Sequence, residues 1–289
     1  MIPPLIVIVG ETASGKSDLA LILSKQFNGE IISADSWSVY RGFDIGTAKP
    51  SIPEINEINH HLLDIVDPND GFSAAEFKRL ALIALDDIYA KGKVPILVGG
   101  TGLYVDSLIY DYSFLPASLK EDRTLYEKLS LNELVKMCKE FNYDTKYLDL
   151  GNKRRVIRLL ENKGKRPTSK PLRDNTLILG IQVDPKQLAA NIQNRTTQML
   201  AEGLENEVKT LADKYGWEIE PMKGIGYREF RDYFENNISK RELIIRINRD
   251  TLKLVKKQKA WFKRNKSIQW YTNREKFVDS VTTFMNKFS

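Results

Sequence analysis

With one cysteine, Cys138, in 289 residues, the chain has no partner for an intramolecular disulfide, and a Cys-rich zinc site is excluded as well. Histidine is nearly as scarce: there are two, adjacent at His60 and His61. Neighbouring side chains of an extended segment point to opposite sides, and no third ligand stands at metal-binding spacing, so the pair reads as structural. Long apolar runs are missing too, since nothing approaches the ~18 residues needed to span a bilayer. The opening Met1-Ile2-Pro3-Pro4 lacks a basic region and passes straight into a β-type run. No signal peptide is therefore expected, and the chain reads as cytoplasmic with no membrane partner. What is present suffices for a core, because 42% hydrophobic residues with 10% aromatics exclude a mainly disordered chain. The length favours two domains, or one large domain with an insertion.

Charge is unevenly spread. Lysine and arginine outnumber the acids by 44 to 38, a weak pointer to a polyanionic partner. Residues 151–170 hold eight basic residues and one acid; residues 240–266 hold eleven and two, with Trp261 and Phe262 interleaved. Such tracts are the electrostatic footprint of nucleic-acid binding. For either tract alone a solvated helical face is the plain alternative, and aromatics at helical spacing serve a core more often than they stack on bases.

Leu5–Val9 is a short β-branched run ending at glycine, the mark of a buried parallel strand. Similar runs lie at Glu30–Ala34, Val94–Val98 and Thr176–Val183, and helical patterns at Lys16–Phe27, Ala74–Tyr89 and Lys186–Tyr215. Alternation of this kind predicts an α/β fold, a phosphate-loop-containing parallel sheet flanked by helices. Residues 111–150 break the rhythm and read as a helical insertion domain. Residues 1–110 then form the first part of the core, and 151–289 its remainder together with a basic helical region. From Lys186 onward the pattern is almost wholly helical. Cys138, inside the insertion and without a partner histidine, reads as a semi-buried thiol.

Gly10-Glu11-Thr12-Ala13-Ser14-Gly15-Lys16-Ser17 fits G-x-x-x-x-G-K-[ST] between a strand and an amphipathic helix, the context a phosphate loop needs. Backbone N–H groups and the helix N-terminus would surround a diphosphate. Lys16 would add charge, and Ser17 would ligate a Mg²⁺ bridging phosphate oxygens. The strand Val94–Val98, however, ends in Gly99-Gly100-Thr101-Gly102 rather than in the acidic residue that holds Mg²⁺ in many nucleotide hydrolases. Asp64 is a poor substitute, because its preceding run is short and begins polar. The loop therefore reads as one that binds a diphosphate without hydrolysing a nucleotide. Asp35 follows the second strand, where doubly wound sheets place substrates. It is either a general base or an N-cap.

Those residues, with Asp35-Ser36-Trp37-Ser38-Val39-Tyr40-Arg41-Gly42, Asp44-Ile45-Gly46-Thr47-Ala48-Lys49-Pro50, His60-His61-Leu62-Leu63-Asp64 and Val98-Gly99-Gly100-Thr101-Gly102-Leu103-Tyr104, occur in one order. The series closely resembles the tRNA dimethylallyltransferase (tRNA isopentenyltransferase) family. The resemblance continues through Arg154-Arg155-Val156-Ile157-Arg158, Gly224-Ile225-Gly226-Tyr227-Arg228-Glu229 and Lys256–Phe262. It implies transfer of a dimethylallyl group from dimethylallyl diphosphate to N6 of adenosine 37, beside the tRNA anticodon, by a monomer using Mg²⁺. It implies that Asp35 takes the N6 proton, that Thr101 aligns it, and that Lys16 and the loop Gly10–Ser17 hold the leaving diphosphate. It further implies tRNA contacts from Asp35, Ser36, Trp37, Ser38, Thr101, Arg123, Arg154, Arg155, Val156, Ile157 and Arg158.

The chain departs from the family pattern at three places. Ser38 stands where a glutamine is usual, Leu252 where an arginine reaches the diphosphate, and Ala260 where a threonine is usual. Lys253 and Arg249 are the nearest replacements for that arginine. Three rivals share part of the motif set: an isopentenyltransferase of free adenine nucleotide, a small-molecule kinase and a non-catalytic RNA-binding protein.

Overall fold

The computed structural model describes every residue except Met1, Pro116, Ala117, Ser118, Leu119, Tyr147 and Ser289. The chain divides into two compact units, one formed by Met1–Ile109 with Leu172–Ser289 and the other by Tyr110–Pro171. In the first unit β1 (Leu5–Val9) leads through the phosphate loop into α1 (Lys16–Gln26), followed by β2 (Gly29–Ser33), α2 (Ile52–Glu57), the two-residue β3 (His60–His61), α3 (Ala74–Ala90), β4 (Val94–Gly99) and α4 (Gly102–Ile109). The second unit contains α5 (Lys120–Lys128), α6 (Leu131–Glu140) and α7 (Lys153–Glu161). The chain then returns to the first unit with β5 (Thr176–Ile181), α8 (Pro185–Ala201), α9 (Leu204–Tyr215), α10 (Glu229–Phe234), α11 (Lys240–Phe262), β6 (Ile268–Tyr271) and α12 (Arg274–Met285).

The strands pair in the order β3-β2-β4-β1-β5-β6, and every pairing is parallel. All five residues of β1 have no exposed surface, as expected of a central strand covered by helices on both faces. Burying one such aliphatic side chain contributes roughly 1.5–3 kcal/mol, so β1 is a poor place for variation and a rigid base for the loop that follows it. One core cluster joins β1, β4 and β5 to α1 and α12. A second packs Val39, Tyr40 and Phe43 against Val208, Leu211, Tyr227 and Phe230. It thereby brings the motif segments around 40 and 227 together. No helix among the described residues is long and apolar enough to cross a membrane.

Four differences from the sequence expectations have physical causes. The helical stretch from Lys186 to Tyr215 is two helices, because Gly203 adopts φ +102° and becomes the N-cap of α9. Asp184 caps α8 through the N–H groups of Lys186 and Gln187, with Pro185 at the first helical position, the usual place for that residue. The region beyond Lys186 also contains β6, whose four residues are too few to show a period. Lastly, the second unit extends past the expected 150 to Pro171. Helix α7 buries Val156, Ile157, Leu159 and Leu160 on Leu134 and Cys138, so the basic tract 151–170 belongs with the insertion. Cys138 is completely buried there rather than half-exposed, and burial pushes its thiol pKa up.

Candidate active site

Loops leaving the C-terminal ends of β1, β2 and β4 converge on a cavity of about 410 Å³, the crevice position that open parallel sheets offer to ligands. Its wall includes the loop residues Thr12–Ser17, Asp35, Thr47 and Arg195. Gly15 lies at φ +86° and Ala13 at φ +64°. The left-handed alanine costs roughly 1–2 kcal/mol, and two side chains hold its segment in place: Asn191 Nδ2 donates to the carbonyl of Ala13 at 3.1 Å, and the N–H of Thr12 donates to Gln258 at 2.8 Å. Within the loop the Ser14 hydroxyl and one oxygen of Glu11 are buried without a partner.

Lys16 donates to the carbonyl of Glu11 at 2.6 Å. Burial, and then the charge of Arg195, bring its pKa down to about 8. Burial also lowers that of Arg195, against the opposing pull of Asp35. Two desolvated cations thus share one wall, and Asp35 offsets their desolvation only in part, since both pKa values stay lowered. An arrangement of this kind is built for an anion. Sequence reasoning missed Arg195. Its signal was position: on α8 it lies within one turn of the buried Ile192, Thr196 and Met199, an arginine on a core-facing stripe.

Asp35 is half-buried, and its Oδ1 accepts from the N–H groups of Trp37 at 2.8 Å and Ser38 at 3.3 Å. The carboxylate therefore does form the cap-like contacts that were the alternative reading, and it still reaches the cavity. Thr101 accepts from the Ser36 N–H at 3.2 Å and its own N–H donates to Ala34 at 3.2 Å, which ties the β4 turn to the segment bearing Asp35. Ser38 is buried, with its hydroxyl shared with Ser33 at 3.0 Å and the Asp35 carbonyl at 3.4 Å. It braces Asp35 in this structure.

The position of Leu252 is exposed on a different surface groove, beside Ile245 and Lys256. Arg249 and Lys253 both bond Asp250 and do not line the cavity; the arginine that does is Arg195. Asp64 pairs with Lys49, whose ammonium also meets Asp44 and the carbonyl of Tyr40. Asp64 is thereby committed away from the phosphate loop. The segment Asp44–Gly46 is held by Glu207, which accepts all three of its N–H groups and the hydroxyl of Tyr227 at 2.7 Å.

Both histidines make contacts that hold β3 in place, and His60 also lines the cavity. His60 Nδ1 meets the Ile58 carbonyl at 2.7 Å and His61 meets the Glu30 carboxylate at 2.7 Å. The fold does bring Asp87 near that pair, which spacing had not foreseen. Lys91 and Lys93 already pair with the Glu30 carboxylate. Against a burial that would raise it, bonds from Lys93, His61, Asn59 and Lys91 hold Glu30 at about 2. Trp261 and Phe262 are packing residues: Phe262 is buried, while Trp261 donates to Asp106 at 2.8 Å with the Arg264 guanidinium 4.4 Å from its ring centroid.

In the second unit the side chains of Val156 and Ile157 are buried and form the inner side of α7, so they pack the unit's core. Arg154 and Arg155 are exposed. Arg158 bonds the Leu115 carbonyl at 2.7 Å and, with Arg123, the buried carboxylate of Glu161.

A parallel sheet, a phosphate loop with paired half-buried cations and a carboxylate in the same cavity are the parts of an α/β phosphate-loop enzyme. Residues 38–265 match the family model described as IPP transferase. A tRNA dimethylallyltransferase of Staphylococcus epidermidis is 38% identical over 99% of this chain and 93% of its own; one of Anoxybacillus flavithermus is 38% identical over 92% and 89%. The crystal structure of a Staphylococcus epidermidis tRNA isopentenylpyrophosphate transferase superimposes with TM-score 0.75 at 35% identity, covering 99% of this chain and 100% of the other. A eukaryotic dimethylallyltransferase solved acting on tRNA gives 0.74 at 28%, over 90% and 69%. The chain belongs to the IPP transferase family.

Proposed function

We propose that this chain transfers a dimethylallyl group from dimethylallyl diphosphate to N6 of adenosine 37 in tRNA, giving N6-(dimethylallyl)adenosine. The observation that carries the reading is the single cavity in which Lys16, Arg195 and the phosphate loop face Asp35. In the reaction the N6–C1 bond forms, the C1–O bond breaks, and diphosphate leaves. Asp35 takes the proton lost by N6, a role worth about 10²–10⁴ in rate. Lys16 and Arg195 meet charge that grows on the leaving group, where preorganised donors act most strongly. A small adjoining cavity lined by Ile192, Met199, Ile225, Ile247 and Leu254 shares Asp35 and Arg195 with the larger one and suits a short branched hydrocarbon chain.

Mg²⁺ fits this site. Ser17 lines the cavity beside Lys16, and Mg²⁺ characteristically takes one or two protein oxygens with the rest from substrate phosphates and water. When bound, the ion neutralises part of the diphosphate charge. The exposed arginines Arg154 and Arg155 and the exposed lysines Lys256 and Lys257 supply tRNA phosphate contacts. An adenine in a loop is also the cheapest to unstack into a protein cavity. The reading needs one copy of the chain, acting in the cytoplasm.

The test is to incubate the purified protein with dimethylallyl diphosphate, Mg²⁺ and an unmodified anticodon stem-loop, then to digest the RNA and weigh its nucleosides. Adenosine 37 should gain one C₅H₈. Prenylation of AMP in preference to the stem-loop would move the activity to free nucleotide, and a phosphorylated product from ATP would move it to a kinase.

A further inference from the structure

We infer that Gln258 is a positioning residue for the transfer, its carboxamide fixing the separation between the phosphate loop and the turn that carries Thr101; the inference rests on the prenyl-transfer reading above. The side chain comes from the inner face of α11 and is 9% exposed. Its Oε1 accepts from the N–H of Thr12 at 2.8 Å, and its Nε2 donates to the carbonyl of Gly100 at 3.2 Å. The amide orientation follows from chemistry, since an N–H can only meet the oxygen and a carbonyl can only meet the nitrogen.

The packing shows that the contact is built in. A Cβ on Gly100 would lie 2.3 Å from Gln258 Nε2, and one on Gly102 would lie 2.2 Å from the Trp261 ring. The Gly-Gly-Thr-Gly turn is thus glycine-rich at the two places where α11 presses on it. Thr101 stands between them and bonds Ser36, next to Asp35. A continuous path of contacts therefore runs from the diphosphate cradle through Gln258, Gly100, Thr101 and Ser36 to the base. The reaction needs the C1–O bond and the N6 proton presented to these two ends together, and a shift of about 1 Å in such a constellation costs on the order of 10²-fold in rate. A planar amide supplies one donor and one acceptor at once; a carboxylate supplies acceptors only, and a thioether supplies neither usefully.

The test compares Gln258→Met and Gln258→Glu with the unaltered protein in single-turnover transfer to the stem-loop, per folded molecule, at several pH values. Each rate is divided by that of the unaltered protein at the same pH, so the pH response common to all three proteins cancels. The Met variant should run roughly 10- to 100-fold slower at every pH. The Glu variant should be as slow near pH ~8 and recover towards pH ~6, because a protonated carboxyl restores the donor–acceptor pair and burial raises its pKa. Inorganic diphosphate should bind the Met variant several-fold more weakly by calorimetry, with tRNA affinity unchanged. Should the Met variant fail to fold, the Glu variant at its two pH extremes carries the test alone. Rates per folded molecule equal to the unaltered protein's, with a flat pH ratio for Glu, would overturn the inference. Absence of transfer by the unaltered protein would instead overturn the prenyl-transfer reading, and the diphosphate titration would still decide the part played by Gln258.

Discussion

The two units put positive charge to opposite uses. In the sheet unit Lys16 and Arg195 are desolvated side by side, and Lys16 falls from 10.5 to about 8. At ~1.4 kcal/mol per pH unit, keeping that ammonium charged at neutral pH costs about 3 kcal/mol. In the helical unit Arg123 and Arg158 share the buried Glu161, while Arg154 and Arg155 stand in solvent, where charge is cheap and mainly steers a partner. A pair of desolvated cations lining one cavity marks a place that suits an anion; an exposed cation marks only the sign of the partner.

Mutations should divide along the same line. The largest effect is expected for Asp35→Asn, which should slow the chemical step at least ~10²-fold while stem-loop affinity barely changes. Equal losses of binding and rate would make Asp35 a structural cap and break the division of labour. Lys16→Ala should raise the KM for the prenyl diphosphate and also lower kcat by roughly 10- to 100-fold, because the contact strengthens as charge develops; a rise in KM alone would refute that.

The pH dependence has a definite sign. Free Lys16 loses its proton near 8, so inorganic diphosphate should bind more weakly as pH rises through 8, with proton uptake on binding above it. The same group makes folding stability rise between about 8 and 10.5, where only the unfolded chain still holds the proton. Buffer-dependent calorimetry reads the first effect and chemical denaturation the second.

In the other unit, Arg154→Glu with Arg155→Glu should weaken stem-loop binding and flatten log K against log salt by ~0.7–0.9 per lost phosphate contact, leaving diphosphate affinity intact. An unchanged slope would remove α7 from the RNA surface. Smallest of all, Ile157→Val should cost about 0.5–1.5 kcal/mol of stability with no change in RNA affinity; a drop in affinity would return Ile157 to the interface.

The sequence was most informative where function is carried by contiguous segments. Thr12–Ser17, Asp35 and Gly99–Gly100 line one cavity because β1, β2 and β4 end beside one another, and each stands in a motif that is legible as a contiguous segment. Less legible was whatever depends on chain regions far apart. Arg195 and Gln258 look unremarkable along the chain and become site residues only because α8 and α11 pack against the loop. The run 154–158 shows the converse limit: its charge was plain, but helical periodicity turns two of its members inward. Strand β6 escaped notice because four residues carry no period.

One contact also has a temporal side. The N–H of Thr12 and the oxygen it meets on Gln258 are 246 residues apart in the chain. At ~5–20 residues per second of synthesis, the loop made first waits roughly 10–50 s for the helix that braces it. A nascent chain arrested before α11 emerges would carry the whole phosphate-loop motif without a finished cradle. Competence to bind diphosphate should therefore come as a single step, only after α11 has emerged from the ribosome.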